Sequence, residues 1–194
     1  MLFICCHSVC CYAKNAANEY KSDASNECFS TSAGRLSQPK HRFITWLTIL
    51  DRLNTNDRWM KIGVTTDNTC LLCGIEVESH SHLFFGCQYS LRCRQKIAPW
   101  IEMNILPNSL RDIVKWLLRN RTTKFKRGFI SSIVLCTIYH FWKERNNDLW
   151  KNQVHIVDRV VSLIQKTVHN RNHTVLPRAI STRDSSWFTT LFRG

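Results

Sequence analysis

Cys70-Leu71-Leu72-Cys73 and His82-Leu83-Phe84-Phe85-Gly86-Cys87 place three thiols and an imidazole within eighteen residues. Two thiolates two residues apart on a tight turn, which Gly74 helps to close, can face one ion. A C-x2-C pair followed by an H-x4-C pair supplies the four N/S donors that Zn²⁺ takes in tetrahedral geometry. Four protein donors leave no position for a reacting water, so such a site stabilises a fold and does not catalyse. Three alternatives stand beside the zinc reading: buried thiols next to a surface histidine, a disulfide framework, and His80 in place of His82. His82 is preferred because Leu83 and Phe84 follow it directly and can pack beneath the site. Glu76 and Glu78 read as solvated loop charges, and Cys93 and Cys136 as packing residues.

The remaining cysteines belong to a different kind of sequence. The chain has 194 residues, ten of them Cys, and Cys5, Cys6, Cys10, Cys11 and Cys28 fall in its first 34. That stretch carries two basic and three acidic residues, so the whole net charge of +13 and more lies after Gly34. Without sustained periodicity, and rich in Asn, Ser and Ala, residues 1–35 read as a disordered or unrelated extension. Met1–Ala13 lacks a basic leading region and is broken by His7 and Ser8, which argues against a secretory signal. Palmitoylation or metal binding are the other readings of its thiols. No apolar run approaches the ~18 residues of a membrane span. The expected location is intracellular, nuclear or cytoplasmic.

The elements that position the thiols are helical. Pro39 opens a helix whose stripe is Phe43, Trp46, Leu47, Leu50 and Leu53. A short helix over 57–62 ends at Gly63, and residues 65–81 form a loop. Residues 87–98 form a helix that Pro99 ends. Ser109 and Asp112 resemble a capping box before Ile113, Trp116 and Leu117. The stretch 123–151 is apolar all round at its middle, as in a central buried helix, although its β-branching leaves a strand open. Val157, Val160, Val161, Ile164 and Val168 give a last helix. The fold class is therefore mostly α: a small helical domain with a loop-rich zinc-binding insert and a disordered N-terminal extension. The divisions are 1–35, 36–100 for the zinc domain, 101–173 for a helical region, and 174–194 for a tail with an aromatic patch at Trp187-Phe188.

Pro39-Lys40-His41-Arg42-Phe43-Ile44-Thr45-Trp46-Leu47, then Arg52-Leu53-Asn54-Thr55-Asn56-Asp57-Arg58, then the Cys70/Cys73 and His82/Cys87 pairs resemble a known family. It is the reverse-transcriptase zinc-binding domain of plant non-LTR (LINE-type) retrotransposons. The likeness covers roughly 36–100, and Trp142-Lys143-Glu144-Arg145-Asn146 resembles a segment common downstream in those proteins. The first 34 residues lie outside it. The resemblance implies that Cys70, Cys73, His82 and Cys87 hold Zn²⁺ and that the module accompanies a polymerase.

Catalysis itself finds no support. A polymerase needs paired aspartates for two Mg²⁺ ions, and this chain has no Asp-Asp dipeptide, no G-x-S-x-G elbow and no Gly-rich phosphate loop. The expected partner is RNA or DNA, with a protein partner as the alternative and no small-molecule substrate. Arg92, Arg94 and Lys96, then Arg119, Arg121, Lys124, Lys126 and Arg127, are the expected phosphate contacts, with Trp59, Trp100 or Tyr89 as stacking surfaces.

Overall fold

The computed structural model describes residues 34–104, 106–119, 122–175 and 180–192. Residues 1–33 of the N-terminal extension, with all five of its cysteines, lie outside them. The described residues are mostly helical and contain no β-strand, only one isolated antiparallel bridge, Thr69 to Val77. The helices are α1 (Pro39–Ile49), α2 (Asn56–Lys61), α3 (Gln88–Trp100), α4 (Leu110–Arg119), α5 (Lys124–Lys151), α6 (Val157–Val175) and α7 (Thr182–Leu191).

Helix α5 is the axis, and the strand alternative for its middle is set aside. Thr123 starts it by accepting the Lys126 N–H at 3.1 Å, and Asn152 ends it at φ 52°. Residues Gly128 through Ile138 are buried without a break. Their hydroxyls are satisfied locally, Ser131, Ser132 and Thr137 donating to the carbonyls of Arg127, Phe129 and Ile133. Helices α1 and α6 pack against α5, and α3 packs against α6. The α6 stripe is the expected one, with Val160, Val161, Ile164 and Val168 all buried. One core joins Leu53, Leu83 and Phe84 to residues of α3, α4, α5 and α6.

Helix α1 departs from its apolar stripe. Its buried residues are His41, Thr45 and Thr48, while Phe43 and Trp46 stack on each other at 5.9 Å, with Phe43 exposed. The threonine hydroxyls donate to the carbonyls of His41 and Ile44 at 3.0 and 2.9 Å, so only their methyls need packing and α1 can sit close to α5. The helix also ends before Leu50. Asp51, at φ 53°, turns the chain so that its N–H meets Thr48 O and the Arg52 N–H meets Leu47 O. Gly63, at φ 74°, closes α2 with the same pattern, its N–H on Met60 O and that of Val64 on Trp59 O.

Residues 182–191 are a helix where the sequence reads as a tail. Ser181 caps it by accepting the Asp184 N–H. Trp187, Phe188 and Phe192 then set their rings edge-on to Phe129 at 5.5, 5.4 and 6.3 Å. The aromatic patch is thus a packing surface.

His41 and His140 meet between α1 and α5. Their rings are 6.5 Å apart, and His140 Nε2 lies 3.5 Å from Thr167 Oγ1 on α6. Burial, followed by the charge of Lys40 and by His140, pulls His41 down to about 3. Burial, followed by Lys143, pulls His140 down to about 4, with Lys40 adding to the fall and Glu144 opposing it. Both are therefore neutral in the fold and charge only on unfolding. Stability is expected to fall as the pH drops below ~6.5 and to keep falling toward their folded values, by up to about 1.4 kcal/mol per pH unit for each histidine. Urea unfolding of wild type and His140→Gln, followed from pH 7 downward, checks this, because any metal loss is common to both. The variant should show the shallower fall, and equal slopes would contradict it.

Candidate metal centre

The first donor pair sits at the tip of a narrow loop. The Cys70 N–H donates to Glu76 O at 2.8 Å, the Gly74 N–H to Cys70 O at 2.7 Å, and the Glu78 N–H to Asn68 O at 2.8 Å. Gly74, at φ 66°, makes the reversal that a side chain would strain. The second pair is set by a single π-type turn, His82–Gly86, closed by the Cys87 N–H on His82 O at 2.6 Å. Five residues of α-helix would rotate Cys87 about 140° away from His82. A turn with an i to i+5 bond stacks them instead. Ser79 holds its start by accepting the His82 N–H at 3.1 Å.

The four donor atoms lie within 4.8 Å of one another. Cys70 Sγ and Cys87 Sγ are 3.9 Å apart, and Cys73 Sγ and His82 Nε2 3.3 Å. A tetrahedron with Zn–S bonds of about 2.3 Å has edges of about 3.7 Å, so this donor set is suited to hold a metal ion. All these cysteines are free thiols, which leaves no disulfide here. The Cys87 thiol falls to about 5, first through the hydrogen bond from Cys70 and also through the Ser90 and Tyr89 amides at the start of α3. Cys70 rises in turn, because it keeps the proton that the pair shares.

Around the donors, two glutamates do work that the sequence does not reveal. Glu76 Oε2 lies 3.1 Å from His82 Nδ1, which puts the proton there and turns the Nε2 lone pair toward Cys73. Glu78 is fully buried, and the expectation of a solvated charge fails for it. Its Oε1 accepts from Arg145 Nε at 3.0 Å and the Asn56 N–H at 2.9 Å, and lies 2.9 Å from Arg145 Nη2 as an ion pair. Its Oε2 accepts from the Leu71 N–H at 3.2 Å, between the two thiols. Arg145 also donates to Asn56 Oδ1 at 2.8 Å and lies over the rings of Trp59 and Trp142. His80 stands apart: Nε2 accepts the Leu53 N–H at 3.1 Å, and Nδ1 is paired with Asp51.

Residues 7–93 match the family of zinc-binding in reverse transcriptase. All four donors fall inside the match, and that family's chemistry fits their geometry. The match begins well before residue 35, so it takes in most of the stretch that the sequence resemblance leaves out. No curated protein and no solved structure matches the chain.

The expected phosphate contacts divide. Arg92, Lys96, Arg119 and Lys124 are exposed, with Lys96 ion-paired to Asp158. Lys126 is half-buried, 3.2 Å from Glu102 and 4.3 Å above the Trp187 ring, and Arg127 is half-buried. Arg94 is a correction. It is buried and donates to Phe85 O at 2.6 Å and Pro107 O at 3.1 Å, tying the π turn to the α3–α4 connection. Arg121 lies outside the described residues. Of the expected stacking rings, Trp59 has Arg145 over its face, while Tyr89 and Trp100 are half-buried and held at their edges, the hydroxyl donating to His155 O and Nε1 to Leu191 O. No helix among the described residues is long and apolar enough to cross a membrane.

Proposed function

We propose that this chain is a non-catalytic zinc-binding module derived from a retrotransposon reverse transcriptase of the plant non-LTR type. Cys70, Cys73, His82 and Cys87 hold a structural Zn²⁺, and the module binds RNA or DNA as an accessory to a polymerase inside the cell. The carrying observation is the closed set of four protein donors: a zinc held there shapes a surface and leaves no open coordination position for chemistry. An excess of positive charge after Gly34 supports a polyanionic partner.

Binding of single-stranded RNA and DNA across a salt series tests the partner. The expected result is affinity at low salt that falls linearly in log K against log salt. Absent or salt-insensitive binding would remove the nucleic-acid reading and leave the zinc assignment standing. Exposed Ile62, Val64, Ile75 and Val77 favour the alternative, a protein-docking module. Ile62→Ser with Ile75→Ser separates the two, since a docking module would lose its partner while a nucleic-acid binder would keep its affinity.

A further inference from the structure

The helices carry a second cationic surface, where α1, α5 and α6 meet. At one level of the bundle, His41 of α1 packs its ring 4.7 Å from that of Tyr139 on α5, and the next α5 residue, His140, reaches Thr167 on α6. Lys40 Nζ lies 5.0 Å from the Tyr139 ring centroid. Lys143 stands one turn beyond Tyr139, and Lys166 is the neighbour of Thr167. Arg171, one turn further along α6, donates from Nε to Arg35 O at 3.1 Å, which brings Arg35 to the same side. Arg35, Lys40, Lys143 and Lys166 are exposed, and Arg171 is half-buried.

We infer that this α1–α5–α6 junction, built from Arg35, Lys40, Lys143, Lys166 and Arg171 around Tyr139, is the surface that contacts the nucleic-acid phosphate backbone. The inference rests on the nucleic-acid reading above and assigns its location. Three observations carry it. Helix α1 has no acidic residue, α5 has none from Lys124 to Lys143, and α6 has none after Asp158. None of the five cations is ion-paired to a carboxylate among the described residues, whereas Lys96, Lys126 and Arg145 are. The positive field also reaches the interior, where Lys40 and Lys143 help to hold the buried His140 uncharged. Like charges gathered without counter-ions repel one another, and a polyanion relieves that repulsion by displacing its own condensed cations.

The test compares two charge-matched triples of exposed residues in the full chain. Lys40→Gln/Lys143→Gln/Lys166→Gln removes the junction, and Arg92→Gln/Arg119→Gln/Lys124→Gln removes cations elsewhere. Each binds a fluorescent oligouridylate across a salt series, with zinc content and helicity measured alongside. The junction triple should lose about tenfold or more in affinity at low salt, and its log–log salt slope should flatten by about 2, the value for three lost phosphate contacts on a single strand. The second triple should keep most of the wild-type affinity and slope. Equal losses in both would reduce the effect to net charge and overturn the location, as would a loss confined to the second triple. Wild type that binds no oligonucleotide would overturn the nucleic-acid reading, and the location with it.

Discussion

Arg145→Met is expected to destabilise the protein by about 3–5 kcal/mol, the usual cost of leaving one member of a buried ion pair alone. The guanidinium is 1% exposed, donates to Glu78 from Nε and sets Nη2 2.9 Å from the same carboxylate oxygen as an ion pair. Methionine fills most of the volume between Trp59 and Trp142, so the loss reads the charge and not a cavity. What remains is a carboxylate at 0% exposure, held only by the Asn56 and Leu71 amides. Glu78→Gln in the same chain should recover part of the loss, because it removes the stranded charge. Urea unfolding of the four members of this cycle measures the coupling. A loss below about 1 kcal/mol in Arg145→Met, the scale of an exposed pair, would show that the pair is not closed to water.

Cys73→Ser is expected to abolish stoichiometric zinc and to lower the melting temperature by at least about 10 °C. Structural zinc contributes about 10–16 kcal/mol to the folding of small zinc peptides, and each kcal/mol shifts a domain of this size by about 2–4 °C. Even half of the lower figure reaches the stated shift. From the sequence, damage confined to residues 64–90 with the helices after 109 intact is the natural expectation. The structure argues for wider damage. Leu83 and Phe84, inside the π turn, are buried in the same core as Ile133, Val134 and Phe141 of α5. Releasing His82 and Cys87 frees that turn and uncovers the middle of the central helix. Native mass spectrometry with and without chelator reads the metal, and circular dichroism reads the helices. Cys93→Ser, outside the set of four donors, serves as the control that keeps its zinc. A Cys73→Ser protein with wild-type zinc content would remove Cys73 from the donor set.

The parts of this fold that announce themselves in the sequence are those governed by short separations. The Cys70/Cys73 and His82/Cys87 spacing, the Gly63 turn, the Ser109–Asp112 cap and the valine stripe of α6 all act within a few residues. Their chemistry is visible there. The parts that stay hidden depend on partners far along the chain. Glu78 looks like any loop acid until Arg145, 67 residues away, is beside it. Arg94 resembles a phosphate ligand until the carbonyls of Phe85 and Pro107 converge on it. Helix α1 defeats the apolar stripe because threonines bonded to their own helix can line a core. Helix α7 hides because Trp187 and Phe188 find their ring partners on α5. One signal was available: Asn56 and Arg145 both lie in segments that carry the family resemblance, and the structure joins them at 2.8 Å.

The matched stretch ends at residue 93, yet the counter-charge for its buried acid stands on α5. A fragment cut at that boundary would carry every metal donor and strand an anion in its own interior. The unit that can be transplanted is thus longer than the unit that sequence similarity outlines. The connecting chain is more than a tether for that guanidinium, since Ile113, Ile133 and Phe141 within it share one core with Leu83 and Phe84.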